Sequence, residues 1–172
     1  MRTLLALAAL GLAACGSLNV DQYRDKKPEF VLEKFFAGKL VAKGALYDRG
    51  GAVSRRFVAD IVGTCESARC RLDEVFRWDD GEIQNRTWEL EKTGDSWVGK
   101  AGDVVGTATG RGAGNAFNWS YALRVKTEGG EVDVKMDDWI YLIDESTVLN
   151  RTAMSWYGIH AGEVVLTIQR VE

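Results

Sequence analysis

Four charged residues fall on strand faces that are otherwise apolar and aromatic: Arg55, Glu74, Arg86 and Asp138. A charge on an inward face is costly unless it is paired or hydrated. The two arginines could receive the carboxylate or phosphate of a ligand while aromatic side chains hold its apolar tail. Alternatively, the four charges form an internal ion network, or the alternation has been read one residue out of register. The residues alone leave these readings open.

The predicted ligand-binding residues combine polar and charged side chains for a head group with aromatic and flexible ones for an acyl chain. They are Arg55, Arg86, Trp88, Trp119, Tyr121, Trp139, Asn150 and Met154. No catalytic, cofactor-binding or metal-binding residues are predicted. His160 is the only histidine, and Ser155, which is separated from it by a probable turn, lacks the strand–turn–helix context of a nucleophile elbow. An enzyme acting on acyl chains is therefore the least favoured function.

The alternation changes phase at Asp137-Asp138. The apolar residues of 132–136 and those of 139–143 fall on opposite faces of one strand. A β-bulge would turn Trp139 inward and keep Asp138 out of the core. The alternative is a strand without a bulge, with the Asp138 carboxylate pointing inward. The pattern favours the bulge, which would require a cover over the outward residues beyond it, by an N-terminal helix around Phe35 or by a partner.

Most of the chain consists of alternating runs of about eight to twelve residues. Turns such as "DRGG", "KTGDS" and "TEGGE" separate these runs. The pattern predicts nine or ten antiparallel strands in a closed barrel or a sandwich. Before them, Pro28 is predicted to open a short helix in which Val31, Leu32, Phe35 and Phe36 share a face. We therefore expect a single all-β domain over residues 30–172.

The N-terminal sequence resembles a lipoprotein signal. A short apolar run, "LLALAALGLAA", ends in "LAAC" at Cys15, like the lipobox of bacterial lipoproteins, whose cysteine receives a diacylglyceryl group. The alternative is an ordinary secretory signal with an incidental cysteine. The lipobox predicts a signal peptide over 1–14, a lipidated tether over 15–29, and attachment to the membrane through lipid on Cys15. Because Gly16 and Ser17 follow the cysteine, not the Asp of inner-membrane retention signals, we expect the periplasmic side of the outer membrane.

Two further cysteines, Cys65 and Cys70, lie in "TCESARC". In an oxidising periplasm such a pair predicts a disulfide across a hairpin, and free thiols or a metal pair are the alternatives. The formal net charge is −3, and no basic surface suggests a nucleic-acid partner.

Several longer stretches resemble domain-of-unknown-function family 3833, a family of Gram-negative envelope lipoproteins. They are "FFAGKLVAKGALYDRGGAVSRRF", "WDDGEIQNRTWEL", "GDVVGTATGRGAGNAFNWSYAL" and "DVKMDDWIYLIDESTVLNRTAMSWYGIHAGEV". The resemblance runs from about Phe35 to the C-terminus. It implies a calycin-like, that is lipocalin-like, antiparallel barrel, and it brings no catalytic assignment. Members are often encoded near enzymes that modify membrane fatty acids, whereas the Cys65–Cys70 hairpin looks like an addition to the family pattern.

Two functions follow from these expectations. The first is a membrane-anchored barrel that binds or shuttles an acyl lipid, such as a fatty acid or a phospholipid, or another hydrophobic ligand. The alternative is a filled barrel that serves as a structural or interaction partner of an envelope enzyme or assembly complex. The sequence identifies neither the ligand nor a protein partner.

Overall fold

The computed structural model describes residues 18–127 and 129–171. The predicted signal peptide and the predicted lipidation site, Cys15, lie outside the described residues. Within this part of the chain, no helix has the length and apolar character needed to cross a membrane.

Ten antiparallel strands form a closed barrel in which each strand pairs with its neighbours in the chain and the last pairs with the first. The strands are β1 (Gly38–Asp48), β2 (Val53–Glu66), β3 (Arg69–Trp78), β4 (Ile83–Thr93), β5 (Ser96–Lys100), β6 (Val104–Ala113), β7 (Ala116–Thr127), β8 (Gly130–Asp144), β9 (Thr147–Trp156) and β10 (Ile159–Val171). The all-β antiparallel barrel predicted from the alternation is confirmed.

The predicted bulge at Asp137-Asp138 is wrong. β7 and β8 pair without interruption from Ala116 opposite Tyr141 to Thr127 opposite Gly130. β9 also continues in register past Asp138, which lies opposite Thr152. With no extra residue to absorb the phase change, Asp138 points into the barrel and Trp139 points out.

An N-terminal segment closes one end of the barrel. It contains the short helix α1 (Leu32–Phe35), and the side chains of Phe30, Phe35 and Phe36 are buried in the barrel core. Phe30 N–H donates to the Gly114 carbonyl in the β6–β7 turn at 2.7 Å. The predicted helix exists, but it begins at Leu32, after Pro28, because Val31 is still extended.

Gly63 on β2 is where the closing segment comes nearest to the barrel wall. A Cβ atom at this position would overlap the Phe36 carbonyl. On the other flank of β1, the guanidinium of Arg170 on β10 donates to the carbonyls of Lys34 and Phe35, each at 2.6 Å. We refer to this plugged end as the closed end and to the other as the mouth.

Part of the predicted tether packs on the outside of the barrel. Val20 opens a 3₁₀ helix (Val20–Tyr23) and is buried against Ala116 and Trp139. In the same seam, Arg111 of β6 binds both carboxylate oxygens of Asp21, at 2.9 and 2.6 Å. This seam, not the closing helix around Phe35, covers the outer face of β8.

Cys65 and Cys70 lie directly opposite each other at the end of the β2–β3 hairpin, and the structure joins them in a disulfide. Cys70 belongs to the buried core, and Cys65 packs against it. The bridge therefore ties the hairpin together at the closed end.

Candidate functional site

The barrel interior differs between its two ends. Inward side chains near the closed end are buried, among them Leu40, Leu72 and Val148. Toward the mouth, inward apolar side chains keep part of their surface exposed: Leu46, Phe76, Trp78, Val104, Tyr121, Leu123, Val134, Met154, Val164 and Leu166. Because these residues face one another around the barrel, the mouth half of the interior is less fully buried than the closed half, and we call this half the chamber.

Aromatic side chains form the boundary between the chamber and the packed half. Trp88 lies edge-on to Trp119, with ring centroids 5.9 Å apart, and to Tyr121, at 5.4 Å. Both tryptophans are buried. Gly110 on β6 makes room for this packing, since a Cβ atom there would overlap the Trp119 ring. The floor of the chamber is therefore fixed by close packing.

A charged group lies deep in the chamber, centred on Arg86 of β4. Its guanidinium Nε and Nη2 donate to the Asp103 carboxylate, with the shortest contact at 2.6 Å. Glu74, its cross-strand neighbour on β3, is more distant, with 3.9 Å between Glu74 Oε2 and Arg86 Nη1. Glu74 Oε2 is buried and has no hydrogen-bond partner among the described residues.

Asp138 completes the polar group from the opposite wall. Its Oδ1 accepts hydrogen bonds from Asn150 Nδ2 and from Thr152 Oγ1, the latter at 2.9 Å. Asn150 and Thr152 are 5% and 3% exposed, so they hold the carboxyl group from inside the wall. Asp138 itself is largely but not fully buried.

Burial changes the ionisation of these groups. Loss of hydration raises the pKa of Glu74 to about 7; Arg86 opposes this effect, and Asp103 and Asp138 add to it. Burial also raises the pKa of Asp138 to about 6, against the hydrogen bonds from Asn150 and Thr152. The pKa of Tyr121 is raised by burial and by the same carboxylates. The titratable groups influence one another's pKa, and two uncharged side chains hydrogen-bond to Asp138. We call the whole cluster the polar floor: Glu74, Arg86, Asp103, Tyr121, Asp138, Asn150 and Thr152.

Arg55 occupies the rim of the mouth and not the chamber floor. Its guanidinium pairs with Asp80 at 2.6 Å and Glu82 at 2.8 Å, both in the β3–β4 turn region. It also lies over the Trp78 ring, 4.0 Å from the centroid. Arg55 is therefore held by two carboxylates and an aromatic ring.

The structure brings most of the predicted ligand-binding residues together. Six of them lie inside the barrel: Arg86, Trp88, Trp119, Tyr121, Asn150 and Met154. Trp139 is a correction, because it lies outside, buried under Val20 and stacked on Tyr141. The internal ion network that was the alternative reading is present, though its partners differ from those expected.

Two members of the polar floor were missed by the sequence analysis. Asp103 lies in the β5–β6 turn, where alternation gives no information, and Thr152 was not distinguished from its apolar neighbours. Across residues 18–127 and 129–171, no three His, Cys, Asp or Glu side chains are grouped so as to hold a metal ion.

Comparison with known proteins establishes the family. The sequence matches the family described as "Protein of unknown function (DUF3833)" over residues 9–170. The chain belongs to this family. No curated protein matches it significantly in sequence.

Solved structures support the lipocalin-like fold. The S-type phycobiliprotein lyase CPES from Guillardia theta is similar with a TM-score of 0.61 at 10% identity, covering 83% of this chain and 94% of that chain. A redesigned β-barrel, mFAP1, bound to DFHBI, aligns with a TM-score of 0.43 at 12% identity, covering 80% and 97%. At 10% identity the similarity to the lyase shows the fold alone, and it confirms the lipocalin-like architecture.

Proposed function

We propose that this DUF3833 protein is a binding protein whose barrel holds a hydrophobic ligand with a polar end, such as an acyl lipid. The observation that carries the proposal is the graded interior. One half is packed and plugged, whereas in the other half inward apolar side chains keep part of their surface exposed above a polar floor. A barrel that needed only stability would gain by filling the chamber, because buried apolar surface contributes about 25 cal/mol per Å².

The strand geometry limits how much of a ligand the chamber can hold. Four residues separate Glu74 at the floor from Trp78 near the rim, which corresponds to about 13 Å along the strand. With the usual tilt of barrel strands, the depth is about 10 Å. The chamber therefore suits a medium-length alkyl chain, or the first part of a longer chain that continues through the mouth.

Membrane anchoring is the second part of the proposal. Lipid on Cys15 would hold the barrel at the periplasmic side of the outer membrane. The lipobox-like "LAAC" motif supports this placement. A ligand-binding barrel fixed beside a bilayer would have access to the acyl lipids of that bilayer.

The test is binding of a neutral apolar fluorophore, N-phenyl-1-naphthylamine, and its displacement by decanol. Wild type is compared with Val164→Trp, which places a large ring in the chamber, and with Val165→Trp. Val165 is the matched control because it is the next residue on β10 and points outward. We expect wild type and Val165→Trp to bind and Val164→Trp to lose binding, with circular dichroism to show that all three are folded. Absence of binding to wild type would refute the proposal.

A further inference from the structure

We infer that the polar floor selects ligands with a positively charged amine at the polar end, and disfavours carboxylates and phosphates. This inference rests on the proposed function and names the class of ligand. It reverses the expectation from the sequence, in which Arg55 and Arg86 receive an anionic head group.

The two arginines are already engaged. Arg86 donates to both oxygens of Asp103, and Arg55 is held at the rim by Asp80 and Glu82. Arg86, the guanidinium of the polar floor, could bind a ligand carboxylate only in competition with Asp103. At the rim, Arg55 leaves its buried Nε without a hydrogen-bond partner in the described structure, but Asp80 and Glu82 keep negative charge beside it. Neither arginine therefore offers an uncompensated positive charge to an anion.

The carboxyl groups of the floor, in contrast, outnumber its cations. Glu74, Asp103 and Asp138 face one guanidinium, that of Arg86. Tyr121 on β7 is the remaining titratable residue of the polar floor, and it adds no positive charge. When all three carboxyl groups are ionised, the floor has an excess of negative charge in a site of reduced hydration, where an ammonium group would be attracted and an anion repelled.

Glu74 supplies an observation independent of the charge count. Its side chain is 11% exposed and its buried Oε2 has no hydrogen-bond partner in the described structure. A buried oxygen of this kind is costly until it receives a donor. On the other wall, both hydrogen bonds to the Asp138 carboxyl group go to Oδ1. An ammonium group has three donors and no acceptor, so its chemistry suits carboxylate oxygens that lack a donor.

The aromatic walls suit the same ligand. Phe76 and Tyr121 line the chamber beside the floor, and the Arg86 guanidinium already lies 5.4 Å from the centroid of the Phe76 ring. Aromatic faces attract cations and also pack against the alkyl chain that follows an amine. A ligand with a carboxylate would gain only the packing of its alkyl chain against these rings.

The experiment compares decylamine, decanol and decanoate as competitors of N-phenyl-1-naphthylamine at pH 8. The three share one chain and differ only in the head group. We expect decylamine to bind tightest and decanoate weakest. Glu74→Gln should weaken decylamine at least tenfold while decanol changes less than threefold. Glu89→Gln is the matched control, because Glu89 lies on the outer face of β4 and its side chain is 74% exposed.

The outcomes separate this inference from the proposed function. If none of the three binds, the proposed function fails with it. If the chains bind without preference, or decanoate binds tightest, the barrel is a binding protein and the inference is overturned. It is also overturned if Glu74→Gln and Asp138→Asn, both shown to be folded, keep the full preference for decylamine.

A measurement on wild type alone covers the case in which neither variant folds. As the pH falls, Glu74 and Asp138 take up protons and lose their negative charges. The other charged or titratable groups of the polar floor are Arg86, Asp103 and Tyr121. We therefore expect the advantage of decylamine over decanol to fall between pH 8 and pH 5. An advantage that is unchanged at pH 5 would overturn the inference.

Discussion

Glu74 and Arg86 are direct cross-strand neighbours on β3 and β4, yet 3.9 Å separates the carboxylate from the guanidinium. The guanidinium turns instead to Asp103, from a turn, which it binds at 2.6 Å. The pairing that the sheet register suggests is thus replaced by one with a residue outside the strands. Glu74 is left as a buried acid with an unsatisfied oxygen.

This arrangement predicts that the free energy of unfolding falls as the pH rises. Burial raises the pKa of Glu74 to about 7 from an ordinary value of 4.5. Between these values the folded protein holds a proton that the unfolded chain has released, so stability decreases with pH through this window and levels off above it. For Glu74 alone the full loss is on the order of 3 kcal/mol, at about 1.4 kcal/mol for each unit of pKa difference. Asp138 acts in the same direction at lower pH.

Urea unfolding at pH 5 and pH 8 measures this effect in wild type and Glu74→Gln. We expect the variant to lose much less stability between the two pH values than wild type does. Glu89→Gln should retain the wild-type dependence. Equal pH dependence in wild type and Glu74→Gln would show that Glu74 titrates normally in the folded protein.

Arg86→Gln is expected to be strongly destabilising. It leaves Asp103 without its cation and removes the one positive charge near Glu74, which should cost about 2–4 kcal/mol. The matched control is Arg71→Gln on β3, whose guanidinium pairs with Asp73 on the surface and is 54% exposed; it should cost less than about 1 kcal/mol. Urea unfolding at pH 7 compares the two. Similar losses in both variants would contradict a structural role for the buried pair.

The alternating pattern predicted the barrel but not the orientation of Asp138. An interpretation based on alternation assumes that one face of a strand is exposed to solvent, and β8 does not meet this assumption. Trp139 and Tyr141 on the outer face are covered by Val20 and Tyr23, while Ile140 and Leu142 on the inner face enter the core. A strand that is covered on both faces has apolar residues at consecutive positions. A change of phase in its pattern therefore does not show which residues point inward.

The candidate site was predictable where its residues lie in alternating strands and not elsewhere. Arg86, Tyr121 and Asn150 follow from their positions on inward faces. Asp103 does not, because a residue in a turn has no face until the fold brings the turn beside Arg86. The inferred preference of the floor for cations depends on Asp103 as well as on Glu74 and Asp138, since without Asp103 the Arg86 guanidinium would be free to bind an anion.

The Cys65–Cys70 disulfide should contribute modestly to stability. The bridge closes a short loop, so it removes little entropy from the unfolded chain and is expected to stabilise by about 2 kcal/mol. Cys70 is buried, so the double variant Cys65→Ala/Cys70→Ala is preferable to serine, which would place a hydroxyl group in the core. Urea unfolding of this variant should match that of reduced wild type. Two thiols open to alkylation in protein from an oxidising compartment would refute the bridge.

Lipidation of Cys15 would place the barrel close to the membrane, because the tether is short. Val20 is buried in the seam with Trp139, and the five residues from Cys15 to Val20 span at most about 18 Å. A lipid on Cys15 would therefore hold the barrel against the membrane surface. Labelled palmitate should enter wild type, and Cys15→Ser should abolish labelling and leave the protein unprocessed or released from membranes. Cys65→Ala/Cys70→Ala is the matched control and should be labelled like wild type. Labelling that persists in Cys15→Ser would exclude the lipobox.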